Sequence, residues 1–509
     1  MTFSNISFLM GSVAVQARTK AIPVAAPPPS GGGAYDAAGQ NSYYDALYAN
    51  AFANLTHSSV KYVKTPANGG SDTNNGNSLA TAYATVDKAR TAITGNGLIL
   101  VDDGSYTIGT NGWVNETTLG AVPSGTGSNW TVIRAINPGS VVLNQASQAY
   151  YGSILRGVSS GQVWIDGITF LHDTVHNDEP IFLIGDTWRM TRCFFRRRQS
   201  GTYGATTFLG TGSLIQDCAI YGAGRYLMNT GSNSGSTPVG QNVFRRIAAR
   251  LDWAFADQPV ASFAHYGSDD GNYLLSKETL FANLMEFDSP CTENQASFGF
   301  RWGSIYNPKH QRDMRVRGGC FINCGTDLAN IRTDNIGAPT MDVRDCFISD
   351  NDNNNQGGSP NAIARANGTL TIDHISARAI LSATKFSATT NLSTNNHLLD
   401  GSIVYGTKRV GGNGSEIMYS HGAFLSHWGD TNFDTVSTTD KLWPYPYEDR
   451  IKAFMDTQIS KPTGHFPASP TSSRQSFQGV SLGGQEMTLT RRVWEAAGNQ
   501  IPDLSTMYV

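Results

Sequence analysis

The interval between Arg246 and Gly319 contains the side chains best suited to chemistry. It combines carboxylates, basic groups and aromatic rings, the side chains with which proteins bind sugars and transfer protons. The candidate catalytic residues are Asp257, Asp269, Asp270, Lys309 and His310, and the candidate substrate-binding residues are Trp253, His265, Tyr266, Arg301, Trp302 and Tyr306.

Hydrolysis of a glycosidic bond is one chemistry that these residues could perform. It requires two carboxyl groups that flank the bond, one as acid and one as base or nucleophile. Asp257 with either Asp269 or Asp270 would supply such a pair.

Elimination from a uronic acid is the second chemistry. It requires a base near the acidic C–H bond and a cation that holds the sugar carboxylate. Lys309, His310 and Arg312 could fill these roles, whereas His265 fits a structural role as well as a catalytic one. No short motif selects between elimination and hydrolysis, so both remain open.

A repeated phrase, from Gly161 to Gly406, predicts the elements that must position these residues. Its copies carry an apolar residue, a polar or small pair, a Cys or other small or aliphatic residue, and further apolar residues, at a spacing of roughly 25 to 31 residues. The copies are Trp164–Ile168, Met190–Phe194, Leu214–Cys218, Phe244–Ile247, Val316–Phe321, Val343–Phe347, Ile372–Ile375 and Leu399–Ile403. One longer interval, between Arg246 and Gly319, contains only a weak copy at 274–277. A fixed period of this length indicates stacked structural units.

Composition excludes several classes of protein. Only 15% of the 509 residues are charged and the formal net charge is −3. Nucleic-acid binding needs a basic excess, so a nucleic-acid partner is not expected. No run approaches about eighteen apolar residues, so no membrane span is expected either. The 54 glycines favour turns and short strands over helices.

The cysteines follow the repeat. We assign four of the six to one column of the stacked units, where small residues fill the same place in other copies. The assigned residues are Cys193, Cys218, Cys320 and Cys346, with Gly167, Ile247, Ile375 and Ser402 in the remaining copies. Buried, reduced thiols are therefore expected. No C-x2-C pair is present, so zinc is not expected.

Residues 1–58 form a separate N-terminal segment. The apolar run near Phe8 lacks the preceding positive charge of a secretory signal. A Pro-then-Gly linker follows at 21–33, and a helix is predicted from Ser42 to Ala53, with Tyr44, Leu47 and Tyr48 on one face. The segment is interpreted either as a flexible tail or as an adapter that docks the chain onto a larger assembly.

The sequence after Val60 resembles the start of pectate-lyase-like right-handed parallel β-helix proteins. A predicted strand, a polar loop, a short helix from Val86 to Ile93 and a second strand occur in the order typical of that group. The matching positions are Tyr62, Val63, Gly70, Asp72, Gly76, Thr85, Val86, Ala89, Ile99, Val101, Gly104 and Tyr106.

The resemblance implies an all-β fold, a right-handed parallel β-helix over residues 59–410. The short helix would cap its first coil, because an open end exposes core and strand edges. Asp72 or Asp103 could bind Ca²⁺ or could stabilise a loop; no other cofactor is expected. Residues 411–509, with a helix predicted at 450–455, are expected to cover the last coil.

Two functions from different classes follow. The first is a virion-attached tailspike- or fibre-like homotrimer that binds host-surface polysaccharide and contacts other virion proteins through its N-terminal segment. The second is a secreted, extracellular polysaccharide lyase or glycoside hydrolase. A purely structural surface appendage is a third possibility, because fold alone does not determine activity.

Overall fold

The structure is a computed structural model that describes part of the chain. The described residues are 37–108, 122–145, 155–158, 161–172, 181–184, 187–197, 206–208, 212–222, 226–230, 242–251, 261–265, 279–287, 303–308, 314–322, 327–332, 340–349, 364–366, 369–378, 403–405, 447, 450–451, 454, 481–482 and 485–486.

Short strands dominate the described residues. Among the described residues, the α-helices with defined bounds are α1 (Ala37–Ala53) and α2 (Val86–Thr91), and single 3-10 turns lie at Pro66–Asn68 and Leu79–Thr81. Arg450, Ile451 and Phe454 are also helical. The strands, in chain order, are β1 (Val60–Val63), β2 (Leu98–Val101), β3 (Gly104–Ile108), β4 (Thr131–Ala135), β5 (Val141–Gln145), β6 (Leu155–Val158), β7 (Val163–Asp166), β8 (Ile168–His172), β9 (Ile181–Ile184), β10 (Trp188–Thr191), β11 (Phe194–Arg197), β12 (Thr206–Phe208), β13 (Leu214–Gly222), β14 (Tyr226–Thr230), β15 (Val243–Leu251), β16 (Ala261–His265), β17 (Thr279–Phe287), β18 (Gly303–Pro308), β19 (Met314–Ile322), β20 (Asp327–Arg332), β21 (Thr340–Ser349), β22 (Ala364–Ala366), β23 (Thr369–Arg378), β24 (Ile403–Tyr405), β25 (Ser481–Leu482) and β26 (Gln485–Glu486).

Two parallel sheets wind together along the chain. The long sheet runs β1-β2-β4-β7-β10-β13-β15-β17-β19-β21-β23-β24, and β3, β5, β8 and β11 extend its early coils around a corner. The second sheet runs β6-β9-β12-β14-β16-β18-β20-β22. Each strand pairs in parallel with the equivalent strand of the next coil. The rest of each coil serves as the crossover connection that parallel neighbours need. The predicted right-handed parallel β-helix is confirmed.

The core is a stack of equivalent apolar side chains inside the coils. In the long sheet, one fully buried inner row follows the strand register from coil to coil. Its members are Ile133, Ile165, Met190, Ile215, Phe244, Phe281, Val316 and Val343. The rings of Phe244 and Phe281 stack with centroids 4.7 Å apart and planes 11° apart. Stacking of like upon like is therefore what buries the apolar face that a single coil leaves exposed.

A corner residue in the left-handed conformation bends each of several coils. Gly167, Arg192, Asp217 and Arg246 have φ values of 73°, 52°, 55° and 52°. The pairing of β13 with β15 skips this position, passing from the pair at Gln216 directly to the pair at Cys218. Three of the four corners are occupied by charged residues, for which this conformation is costly. Their side chains must therefore supply compensating contacts.

The first coil is closed as expected. The Thr85 hydroxyl caps helix α2 by accepting a hydrogen bond from the Lys88 amide at 3.1 Å. The helix ends at Thr91, two residues before the predicted boundary, and Val86 and Ala89 enter the core. The cap therefore joins the same core that the coils build.

The cysteine column is confirmed in part and wrong in two places. Cys218 is in register with Ile247, and Cys346 with Ile375. Cys193 and Cys218 are buried and unpaired with each other. Gly319 takes the place assigned to Cys320, and Ile168 takes the place assigned to Gly167.

The errors in the column have a physical cause. Cys320 instead pairs with Met285 and Phe347, one position further along the strand. Gly167 belongs to the corner, where glycine tolerates a positive φ. Size alone does not distinguish a small residue in the core from one at a turn. The Ser402 assignment lies outside the described residues.

The long interval in the repeat is not an interruption of the solenoid. Strand β17 provides a regular coil there, pairing with β15 on one side and β19 on the other. The weak copy predicted at 274–277 lies outside the described residues. Strands β16 and β18 continue the second sheet through the same interval. The extra chain length therefore lies between strands that remain in register.

Helix α1 and the described residues near 450 both pack on the early coils. The helix predicted from Ser42 is confirmed and begins earlier, at Ala37; its buried rings show that it is docked on the coils. Tyr447 and Ile451 are also buried there, so these described residues do not cover the last coil as expected. Within the described residues, no helix combines the length and the apolar character needed to cross a bilayer.

Candidate functional site

The outer face of the long sheet carries a concentration of arginine. We define this face by the residues that flank the inner row on β4 to β23, together with the corner residues. Its charged members in the described chain are eight arginines, Arg134, Arg189, Arg192, Arg245, Arg246, Arg315, Arg317 and Arg344, and five aspartates, Asp166, Asp217, Asp342, Asp345 and Asp373. The excess is basic although the whole chain is slightly acidic.

Strand alternation explains why these residues share a face. Val316 is buried in the inner row, so Arg315 and Arg317 on either side of it belong to the opposite face of β19. Arg317 is in register with Arg344 of the next coil. Successive coils are about 4.8 Å apart, so the backbone positions of Arg317 and Arg344 lie at about that distance.

Helix α1 covers the early part of the outer face with a stripe of aromatic rings. Phe52 lies 4.3 Å from the ring centroid of Trp164 and 4.2 Å from the Arg134 guanidinium. The Arg192 guanidinium lies over the Tyr48 ring, 4.5 Å from its centroid. Because the ring-bearing positions are four residues apart, they lie on one side of the helix.

Arg189, another arginine of this face, lies against two tryptophan rings. The Arg189 guanidinium lies 4.1 Å from the Trp130 ring centroid and 5.2 Å from that of Trp164. Burial lowers the pKa of Arg189 to about 10. The two indole rings, which meet edge to face, therefore hold a cation in a poorly solvated place, where cation–π attraction is strongest.

Ion pairs stabilise the charged corner residues. Arg192 donates to both carboxylate oxygens of Asp166, and Arg246 donates to both oxygens of Asp217. Burial alone would lower the pKa of Arg192, but the Asp166 carboxylate raises it above its ordinary value. These bidentate pairs compensate the unfavourable backbone conformation at the corners.

Asp217 is the buried centre of the contact with helix α1. Burial would raise the pKa of Asp217, but the charge and hydrogen bonds of Arg246 and a hydrogen bond from Tyr48 hold it below its ordinary value. Burial and the neighbouring carboxylate together raise the pKa of Tyr48 well above its usual range. Tyr48 therefore remains a protonated donor, and Asp217 remains an anion.

Asp45 connects helix α1, the solenoid and the C-terminal segment. Its Oδ1 accepts a hydrogen bond from Arg192 at 2.6 Å and another from the Tyr447 hydroxyl at 3.0 Å. Its Oδ2 accepts one from Arg450 at 3.3 Å. The carboxylate is partly exposed, so the hydrogen bonds from these three neighbours, rather than burial, hold it in place.

The later coils carry the part of the outer face beyond helix α1, which we call the open part. Arg245 on β15 and Arg315 on β19 are partly exposed. The register places Arg317 and Arg344 on the adjacent positions of the same face. Guanidinium groups bind carboxylates and other planar oxyanions through paired hydrogen bonds, so this arrangement can bind a linear polyanion.

The structure describes two of the sequence-predicted site residues, and both lie on the second sheet. His265 ends β16 opposite Thr230, and Tyr306 lies on β18 opposite Ala264, so both belong to the second sheet. Tyr306 is also in register with Asn330. The other predicted residues lie outside the described chain: Trp253, Asp257, Tyr266, Asp269, Asp270, Arg301, Trp302, Lys309 and His310.

The two candidate calcium ligands are engaged with protein donors. Asp72 accepts hydrogen bonds from the amides of Ala84 and Thr85 and from the Thr85 hydroxyl, which fixes the start of helix α2. Asp103 accepts two hydrogen bonds from the Asn137 amide at 3.1 Å. Over the described ranges, no three His, Cys, Asp or Glu side chains cluster as metal ligands would. Loop stabilisation accounts for both carboxylates.

Comparisons with known proteins record similar solved structures only. No protein-family model matches the chain, and no curated protein does. The chain is similar to pectate lyase Pel9A, with 14% identity and a TM-score of 0.44 over 65% of this chain and 78% of that one. It is also similar to the ORF18 protein of Geobacillus virus E2, with 10% identity and a TM-score of 0.43 over 73% of this chain and 63% of that one.

A third likeness is to an alginate lyase from Paenibacillus sp. str. FPU-7, with 12% identity and a TM-score of 0.35 over 69% of this chain and 99% of that one. All three TM-scores lie below 0.5, so the fold rests on the strand pairing of this chain itself. By that pairing the protein is a right-handed parallel β-helix, the fold of the group that its sequence resembles.

Proposed function

We propose that the protein recognises an acidic polysaccharide along the open part of the outer face. The observation that supports this most directly is the row Arg245, Ala282, Arg317 and Arg344, in which three of four successive coils carry an arginine in strand register. An extended polyanion could place its acidic groups against successive guanidinium groups. The rigid coils would hold those groups in place before binding, which lowers the entropic cost of association.

The finer proposal is a virion-attached, tailspike- or fibre-like homotrimer that binds a host-surface polysaccharide. Helix α1 supports an attachment role for the N-terminal segment, because its docked rings fix residues 37–53 to the solenoid. A partner bound through the preceding residues would therefore hold the solenoid in a defined direction. Symmetric closed assemblies are the common form of homo-oligomers, and a trimer is one of them.

Binding to a panel of acidic and neutral polysaccharides tests the recognition proposal. Replacing Arg317 and Arg344 by Gln should weaken binding of the acidic ligands by roughly tenfold or more for each arginine, since hydrogen bonds to charged groups contribute about 1.5–3 kcal/mol. Arg365→Gln, which removes the same charge from strand β22 of the second sheet, is the matched control. If the natural chain, the variants at Arg317 and Arg344 and the Arg365→Gln control all bound the acidic ligands equally, the proposed face would be refuted.

Two further measurements separate recognition from catalysis and test the assembly. Unsaturated products or new reducing ends from any polysaccharide in the panel would identify a lyase or a hydrolase, the secreted-enzyme alternative. Light scattering after size exclusion should give three times the mass of the 54.8 kDa chain. A monomer at micromolar concentration would contradict the trimer.

A further inference from the structure

The contact between the two chain ends connects residues that are very far apart in sequence. Tyr447 and Arg450 meet Asp45 across separations of 402 and 405 residues. Strand β24, the last described coil, ends at Tyr405, yet the described residues 447–454 lie on the first coils. We define the clasp as helix α1 together with residues 447, 450, 451 and 454.

The C-terminal part of the clasp depends largely on helix α1 for its contacts. The Tyr447 ring packs 6.0 Å from that of Tyr44, and its hydroxyl donates to Asp45. Arg450 lies over the Tyr447 ring at 4.9 Å and also donates to Asp45. The contacts with Tyr44 and Asp45 exist only while helix α1 is in place.

The remaining contacts of this part are apolar and lie around the corner of the early coils. Phe454 packs 5.1 Å from the Phe194 ring and 6.2 Å from the Tyr221 ring. Ile451 is buried, and its amide donates to the Tyr447 carbonyl at 2.9 Å, in the helical segment to which Arg450, Ile451 and Phe454 belong. A short helical segment is marginal alone in water and needs tertiary contacts, of which Asp45 supplies two.

Helix α1 has anchors of its own. Phe52 contacts Arg134 and Trp164, and Tyr48 donates to the buried Asp217. None of these contacts involves the described residues 447, 450, 451 and 454. Helix α1 therefore has anchors on the solenoid that are independent of the C-terminal part, whereas that part uses Tyr44 and Asp45 of the helix among its own anchors.

We propose that the clasp is a release device: displacement of helix α1 frees residues 447–454 from the early coils. The helix belongs to the N-terminal segment, so a partner that takes up the helix would remove the hydrogen bonds of Tyr447 and Arg450 to Asp45. The coupling is reciprocal in free energy, because each end stabilises the bound form of the other. The inference goes beyond the proposed glycan recognition and does not depend on it.

Hydrogen exchange of the full chain tests the device. In Asp45→Asn, amide exchange at residues 451–454 should rise at least tenfold, while β7, β10 and β13 keep their protection. Tyr447→Phe removes one of the same hydrogen bonds, so its effect should not add in full to that of Asp45→Asn. Asp87→Asn, on helix α2 and paired with Arg90, is the matched control and should leave residues 451–454 unchanged.

A second full-length variant makes the test independent of Asp45. Phe52→Ala removes an anchor of helix α1 on Arg134 and Trp164, so residues 451–454 should again lose protection while the coil strands keep theirs. Unchanged protection of residues 451–454 in either Asp45→Asn or Phe52→Ala would overturn the device. A parallel loss of protection in β7, β10 and β13 of Asp45→Asn would also overturn it, since Asp45 would then serve the coils as a whole.

Discussion

Replacing Asp217 by Asn tests the physical account of the corner ladder. The carboxylate is fully buried, and it accepts hydrogen bonds from Arg246, Gln216 and Tyr48. The amide removes the charge but keeps the shape and one acceptor. Arg246, whose side chain is only 2% exposed, would then be a buried cation without its counter-ion.

The expected loss follows from that unpaired charge. Breaking a buried pair by removing one partner costs about 3–5 kcal/mol, because the remaining ion is not solvated. The retained acceptor places Asp217→Asn near the lower end, at about 3 kcal/mol. Asp87→Asn breaks an i,i+3 pair in which Arg90 is buried but the carboxylate is 32% exposed, so water can reach the pair and the cost should be smaller, about 1 kcal/mol.

Acid dependence provides a second signature of the same carboxylate. The pKa of Asp217 is held below its ordinary value, so the stability that it contributes is complete above the unfolded pKa of about 4 and is lost as pH falls through the folded pKa. The natural chain should therefore lose stability on acidification, whereas Asp217→Asn should lose less over the same range. The difference between them should shrink as the pH falls.

Urea unfolding followed by tryptophan fluorescence measures both effects, since Trp130 and Trp164 lie under helix α1. Hydrogen exchange at β13 and β15 checks that the loss is local to the ladder. The reasoning is refuted if Asp217→Asn and Asp87→Asn unfold within about 0.5 kcal/mol of each other at neutral pH. It is also refuted if the gap between them does not narrow in acid.

Three further substitutions test neighbouring contacts. Tyr48→Phe removes the hydroxyl that donates to Asp217 and should cost about 1–3 kcal/mol, and absorbance titration of the natural chain should show one more tyrosine that resists ionisation near pH 10 than in this variant. Phe244→Ala should cost about 3–5 kcal/mol in urea unfolding, because it opens a cavity in the stacked inner row. Gly222→Ala should prevent folding of the early coils, as judged by hydrogen exchange, because its Cβ would lie 1.8 Å from the Arg197 carbonyl oxygen.

The coil architecture could be predicted from the sequence because it is encoded locally. Apolar residues such as Ile165, Met190 and Ile215 recur at a nearly constant spacing, and parallel strands in register must stack them. The corner was harder to place. In the sequence, Gly167 looks like one of the small residues that fill the core column. Only its positive φ in the structure shows that it lies at the corner and that Ile168 takes the core position.

The outer face was missed although its residues lie within the repeat. Arg245, Arg317 and Arg344 each follow an inner-row residue in a repeat copy, so the signal was an arginine at one fixed phase of the period. The sequence pattern assigns most of the repeat to the scaffold, so it does not single out these arginines. The clasp could not be predicted from local pattern at all, since Asp45 and Tyr447 are brought together only by the completed solenoid.

Helix α1 also bears on what the outer face can bind. On the covered part of the face, the chain itself supplies a carboxylate, Asp45, that accepts a 2.6 Å hydrogen bond from Arg192 while remaining partly exposed. The same side-chain type continues along the open part at Arg245 and Arg315, which are also partly exposed. An acidic group therefore pairs with a guanidinium on this face without deep burial. An acidic polysaccharide would use that same pairing, repeated at each coil that carries an arginine.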